Sequence, residues 1–274
     1  MNTILVPTDF TAVANHAAQY ALALVAHLNM SVTLFHAYPI PTSFSDVPVP
    51  PEVFKELQKN AEEFLEKTKR ELAPATPDNV VIYTHARPGM FLTALNEYCR
   101  ETDPAAIVMS SHGRVGMERI IMGSETSAGV TRLAWPLIVV PRGAKFQEPK
   151  NIAIACDLLK VQSTVPVSMI RNLVQTFNSK LFILHVHNKK TYSEEVIEGT
   201  SDLQEMLSDL HPSYHFIEGK DVTETILEFV ANTGIDLLVA FPKKHNLLSG
   251  LFNKSQSKLM AKETIVPFMA VHEK

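Results

Sequence analysis

Cysteine is nearly absent from this chain: there are two in 274 residues, Cys99 and Cys156. They stand too far apart for a zinc knuckle or a redox pair, so both read as small buried hydrophobes, Cys99 on an apolar helical face and Cys156 at a strand end. An excess of positive charge is missing too. Against 25 basic residues stand 29 acidic ones, a formal charge of −4. No overall field therefore draws the chain to nucleic acid or to an anionic membrane. No uncharged apolar run reaches the roughly 18 residues of a spanning helix. The opening stretch MNTILVPTDF lacks a basic n-region and is broken by Pro7 and Asp9, so it does not read as a signal peptide, and a cytoplasmic location is expected. Neither a Gly-x-Ser-x-Gly elbow nor a Gly-x-x-x-x-Gly-Lys-Ser/Thr loop occurs.

Glycine is scarce as well, with ten in all, yet Gly113, Gly116 and Gly123 crowd into the stretch SSHGRVGMERIIMGSETS at 110–127. Around that cluster the composition is ordinary for a folded protein. Apolar residues make up 46% and charged residues 20%, enough to bury a core, and the length suits two domains better than one.

The chain repeats itself. ILVPTDF (4–10) matches IAIACDL (152–158), with Asp9 opposite Asp157 at an offset of 148. VTLFHAY (32–38) matches LFILHVH (181–187), with His36 opposite His185 at an offset of 149. Near the end, AWPLIVVP matches IVPFMAVH, with Pro136 opposite Pro267 at an offset of 131. The fall in offset says that the second copy lacks about eighteen residues, assigned to the loop at 39–51 and the helix after it. The polar stretch RGAKFQEPK (142–150) suits a linker, which divides the chain into domains 1–143 and 149–274.

Each copy alternates strand and helix. TILVP, SVTLFHAY, VVIYTHA, AAIVMSS and PLIVVP are short apolar runs, while AVANHAAQYALALVAHL, the charged stretch from Glu52 to about Leu72, GMFLTALNEYCRE and roughly 124–133 carry helical periodicity. Continuous apolar strands between helices imply an α/β fold with a parallel sheet covered on both faces, doubly wound by right-handed crossovers. Ligands of such sheets bind beyond the carboxyl ends of the strands, where the order reverses. That points to Pro7, Thr8 and Asp9, and to Met109 through Gly113.

A glycine-bearing loop leading into a helix offers free backbone N–H groups and a partial positive charge, which suit phosphate. Gly113 opens the loop, and Gly123 and Ser124 start the helix. Ser124 has two readings, as the helix cap or with its hydroxyl turned to a phosphate oxygen, and Arg114 and Arg119 add charge nearby. The alternative for the whole run is an ordinary tight-turn loop.

ILVPTDFT at 4–11 and SHGRVGMERIIMGSETSAGVTRLAWPLIVVP after the fourth strand resemble the universal stress protein family, here as two such domains in tandem. The resemblance runs along nearly the whole chain, strong in the first copy and weak in the second. It implies two Rossmann-like, adenine nucleotide alpha hydrolase-like domains, each a five-stranded parallel sheet with helices on both faces. ATP-binding members of the family carry Gly, two residues, Gly, nine residues and Gly-Ser or Gly-Thr; this chain has Ser110, Gly113 and Gly123-Ser124 at that spacing. The resemblance further implies that Pro7, Thr8 and Asp9 line the base and ribose, that the backbone of Ala37 meets the adenine edge, and that Met109 and Ser110 face the ribose. Gly113, Gly123, Ser124 and the backbone N–H of Glu125 would hold the phosphates. Two positions depart from the pattern. Ser110 replaces the first glycine, and Glu125 places a carboxylate beside the phosphates, which repels them unless Mg²⁺ intervenes.

The implied function is a regulatory switch that binds ATP or AMP, with Mg²⁺. Turnover is expected to be slow at most, because no positioned general base is evident. The rival readings are a nucleotide-independent interaction module and a slow ATPase or nucleotidyl-transfer enzyme. In the second copy Ala240, Lys243 and Asn253 replace the three glycine positions, so no equivalent cradle is expected there, and Asp157 reads as the cap of a turn. Lys243, Lys244, Lys254, Lys258 and Lys262 form a basic cluster, read either as a solvated face or as a site for an anion or acidic partner. His36 and His185 read as hydrogen-bonded core histidines rather than metal ligands, His85 and His112 do not make a zinc site, and Met109, Met117 and Met122 read as packing. The closing strands PLIVVP and PFMAVH need covering, by each other or by a second subunit.

Overall fold

The structure is a computed structural model and describes residues 3–40, 50–111, 123–187, 193–242 and 254–272. The first half runs β1 (Thr3–Pro7), α1 (Ala12–Leu28), β2 (Ser31–Tyr38), α2 (Pro51–Leu72), β3 (Ile82–Pro88), α3 (Phe91–Thr102), β4 (Ala106–Ser110), α4 (Ser124–Arg132) and β5 (Leu137–Val140). The second half runs β6 (Asn151–Ala155), α5 (Val161–Thr164), α6 (Val167–Phe177), β7 (Lys180–His187), α7 (Glu194–Met206), β8 (Ser213–Glu218), α8 (Val222–Thr233), β9 (Leu237–Ala240), α9 (Lys254–Glu263) and β10 (Phe268–Ala270).

Each half supplies five parallel strands, and the two sets join into one ten-stranded sheet of order β3-β2-β1-β4-β5-β10-β9-β6-β7-β8. The junction is antiparallel: Phe268 pairs with Val139, Met269 with Ile138 and Ala270 with Leu137. The closing strands thus cover each other within the chain, and neither presents the bare apolar edge that invites uncontrolled pairing. In each half the order reverses at the first strand, which puts a crevice at the carboxyl ends of β1 and β4.

The apolar core follows the two faces of the sheet rather than the two halves of the sequence. Side chains alternate across a strand, so Ile4 and Val6 of β1 point to one face and Leu5 to the other. The first face continues through Val25, Ile138, Met269, Ile154 and Leu181, and the second through Leu95, Val139, Phe268 and Leu238. Cys99 belongs to this second core, where burial pushes its thiol up to about 12. His272, buried after β10, stitches the halves further, with Nε2 2.8 Å from Val130 O of α4.

The shortening of the second copy lies wholly between its second and third strands. β2 and β7 begin 149 residues apart, at Ser31 and Lys180, and β3 and β8 begin 131 apart, at Ile82 and Ser213. Half of that difference is helix, since α2 has 22 residues and α7 has 13.

A core shared by both halves should melt as one. Phe268→Ala removes a fully buried ring at the seam and should cost about 3–5 kcal/mol in urea unfolding. The single tryptophan, Trp135 in the first half, should report the same midpoint as far-UV circular dichroism, and two separated transitions would refute the shared core.

Candidate functional site

At the carboxyl end of β1 the chain leaves the sheet through a tightly bonded turn. Thr8 N donates to Phe35 O at 2.8 Å, one residue beyond the strand. Phe10 N then donates to Thr8 Oγ1 at 3.0 Å, and Asp9 Oδ1 accepts from Thr11 N at 3.1 Å and from the Thr11 hydroxyl. Phe10 has a φ of 64°, a left-handed conformation that costs a residue with a Cβ. Its ring is braced by His36 at 4.4 Å and Phe64 at 5.4 Å between centroids. His36 Nδ1 lies 2.8 Å from Thr8 O, and Thr11 caps α1 by accepting from Ala14 N.

The second half repeats the backbone bonds of this turn and its histidine bond, but not the two made by the Thr11 hydroxyl. Leu158, 148 residues after Phe10, has a φ of 58°. Its N–H donates to Cys156 Sγ at 3.4 Å, where the first half uses Thr8 Oγ1. Asp157 Oδ1 accepts from Leu159 N at 3.1 Å, and His185 Nδ1 lies 3.1 Å from Cys156 O. Asp157 is therefore a turn-former, as expected, and Asp9 does the same work. The matched histidines are hydrogen-bonded, each to the carbonyl two residues before the left-handed position. The left-handed pair Phe10 and Leu158 escaped sequence reasoning, although the repeat alignment had already set them opposite each other.

What differs is the cover. Asp9 is exposed, whereas Asp157 is 3% and Leu158 0% exposed. α7 lies so close that a Cβ on Gly199 would overlap Leu158 O, and Val161 and Leu203 are buried alongside. The second half has thus filled the space over its turn.

The other wall of the first crevice is the start of α4. Its N-cap is Gly123, with φ −53° and ψ 141°, and no side chain caps it. Ser124 takes the first helical position and is exposed, so it does not cap the helix; that position has passed to a residue with no side chain to offer. The first intrahelical bond runs from Ser127 N to Gly123 O at 2.9 Å, so the preceding amides have no intrahelical partner. Thr126 Oγ1 donates to Ser110 O at 3.0 Å in a buried contact and ties the helix start to the end of β4. Partial burial first, and the Asp9 carboxylate second, push the Glu125 carboxyl above its usual range. The end of β1 and the start of α4 therefore bring two carboxylates close enough to repel, beside a helix start whose macrodipole is positive.

All the expected site residues except Gly113 fall within the described residues. Pro7 and Thr8 are buried, Asp9 is exposed, and Ala37 sits late in β2, half-buried beside β3. Met109 and Ser110 close β4, each 8% exposed, with Met109 in the core shared with α3 and α4. Gly113 and Gly116, with Arg114, Arg119, His112, Met117 and Met122, lie outside the described residues, as do Lys243, Lys244 and Asn253. Lys258 and Lys262 are half-buried on α9. His85 stacks on Tyr98 at 4.1 Å, and burial, with Arg87, lowers its pKa. Among the described residues no group of three or more histidine, cysteine, aspartate or glutamate side chains could hold a metal, and no helix is long and apolar enough to cross a membrane.

Comparison with known proteins gives the lineage of this architecture. The profile of the universal stress protein family matches residues 1–141. A universal stress protein of Methanocaldococcus jannaschii is 27% identical over 145 residues, which cover 52% of this chain and 83% of that one. The crystal structure of a universal stress protein from Archaeoglobus fulgidus superposes with a TM-score of 0.74 at 15% identity, covering 100% of this chain and 99% of the other. A functionally unknown protein from Pseudomonas aeruginosa follows at 0.65 and 12%, covering 99% and 92%. At such identities the structures speak for the fold alone, including its two halves in tandem. The match of the family profile across more than half of the residues goes further: the chain belongs to the universal stress protein family.

Proposed function

We propose that the first half, residues 1–143, binds an adenine nucleotide, ATP or AMP, in the crevice between the ends of β1 and β4, and that the bound nucleotide acts as a switch rather than a fuel. The observation that carries this reading is the uncapped start of α4, pinned by Thr126 to Ser110 O with its first amides lacking any intrahelical partner. A helix start of this kind offers its amides to water or to an anion, and its partial positive charge favours the anion. In this reading Pro7, Thr8 and Asp9 border the base and ribose, the Ala37 backbone meets the adenine edge, and Met109 and Ser110 border the ribose. Gly113, Gly123, Ser124 and the Glu125 amide hold the phosphates. Mg²⁺ offsets the negative rim of Asp9 and Glu125, with carboxylate oxygens as its natural ligands.

Slow turnover at most belongs to the same reading. Asp9 Oδ1 accepts two hydrogen bonds that hold the carboxylate to its own turn, and a general base needs its acceptor turned to the proton it takes. Residues 149–274, with their turn buried, serve structure or regulation, and the protein works in the cytoplasm. A nucleotide-independent interaction module is the competing reading, and the Glu125 carboxyl beside Asp9 is the observation in its favour.

Calorimetric titration separates the two. ATP or AMP should bind the parent chain with saturable heat, and Gly123→Val should weaken binding by at least about tenfold by screening the amides. No heat with the parent protein would leave the interaction module standing. Glu125→Gln should tighten binding of ATP in the absence of Mg²⁺ severalfold and shrink the gain from adding Mg²⁺, because one repelling charge is gone. Thr126→Val removes the buried hydrogen bond that ties α4 to the end of β4; it should cost about 1 kcal/mol of stability in urea and weaken nucleotide binding as well.

A further inference from the structure

On the face of the sheet opposite α4 and α9, the two halves do not close on each other. A cavity of about 360 Å³ opens between α1 and α6, over the seam strands β5 and β10. Its floor is Ile138 and Met269, and its walls include Leu24 of α1 and Leu173 of α6. Pockets that take small ligands begin at about 300 Å³. This one opens to solvent beside the exposed Lys145, Gln147 and Ile265, and no residue of the strand-end crevice lines it.

The polar groups around it are unequally engaged. Asp236 Oδ2 accepts from Lys150 N and Asn151 N, both at 2.8 Å. Glu148 is paired with Lys150 at 2.8 Å and with His27 at 3.2 Å. The anions are therefore spoken for. Lys145, exposed on the linker and lining the cavity, has no ion pair among the described residues. Tyr20 also lines the cavity and is 8% exposed, and its hydroxyl makes no hydrogen bond among the described residues. Its ring is held edge-on by Phe146 of the linker at 5.6 Å. Ile265, one of the large apolar side chains that the fold leaves exposed, at 69%, lines the cavity too. The cavity is thus apolar in body, with one cation and one tyrosine hydroxyl beside it that have no protein partner among the described residues.

We propose that this cavity is a second binding site, for an amphipathic carboxylate: an aliphatic acid of medium length whose hydrocarbon chain lies over Ile138 and Met269 and whose head group meets Lys145 and the Tyr20 hydroxyl. The occupant would touch α1, α6 and the linker at once, and so would brace the two halves against each other. The site is independent of the nucleotide crevice.

The test is calorimetric titration of the full chain with sodium decanoate below its micellar range, beside decylammonium chloride, which has the same chain and the opposite charge. Decanoate should bind saturably at one site, decylammonium about tenfold more weakly or not at all, and Lys145→Glu should weaken decanoate by about tenfold through loss of the charge-assisted contact. Leu24→Trp, which fills the cavity, should abolish uptake. Absence of saturable binding to the parent, equal binding of the two amphiphiles, or an unchanged affinity in Lys145→Glu would each overturn the proposal. Lys145 is an exposed linker side chain, so that arm decides the matter even where the filled variant does not fold.

Discussion

Three residue pairs between β5 and β10 hold the architecture together. Because that pairing is antiparallel while every other is parallel, it fuses two doubly wound halves into one sheet and turns their strands in opposite senses. The strand-end turn of the first half and its copy in the second therefore lie at opposite ends of the strands of the same sheet. An apolar closing strand left at an edge would expose both its side chains and its unpaired backbone; facing each other, both are buried. The cost of covering two apolar edges is met once, inside the chain, and the core becomes continuous along each face.

Separation of the two turns left them free to diverge. Their backbone logic is the same: a left-handed residue, an aspartate bonding two residues ahead and a histidine on the strand-end carbonyl. Even the replacement of Thr8 by Cys156 keeps an acceptor in place. Divergence came from the element above. The long α2 meets the first turn with Phe64 against Phe10 and leaves Asp9 in solvent. The short α7 presses Gly199 onto the second turn and buries its aspartate. A buried carboxylate must be well bonded to persist, and Asp157 is covered and bonded within its turn, while Asp9 in the first copy stays exposed.

Much of this could be read from the sequence. The alternation of apolar strands with amphipathic helices, the internal repeat and the missing stretch in the second copy are all local or copy-to-copy signals, and the elements follow them closely; α2, expected from Glu52 to Leu72, spans Pro51–Leu72. The assignment of His36, His185 and Asp157 to structural duty also needed only their position at strand ends. Less legible was the start of α4. Sequence preference favours serine as a cap over glycine, yet the helix begins one residue earlier, because the Thr126 bond to Ser110 O fixes where its first turn must lie.

The sequence by itself determined the elements, their order and their duplication, since these rest on periodicities of two and 3.6 residues that each segment carries alone. Only the tertiary structure decided which edges meet, that the core divides by face and not by half, and that α1 and α6 stand apart over the seam with Lys145 and Tyr20 beside the gap. These depend on contacts between residues more than a hundred positions apart, such as Val139 with Phe268. Periodicity tells a segment which of its sides is apolar; which apolar side it will meet is settled only when the whole chain competes for the same burial.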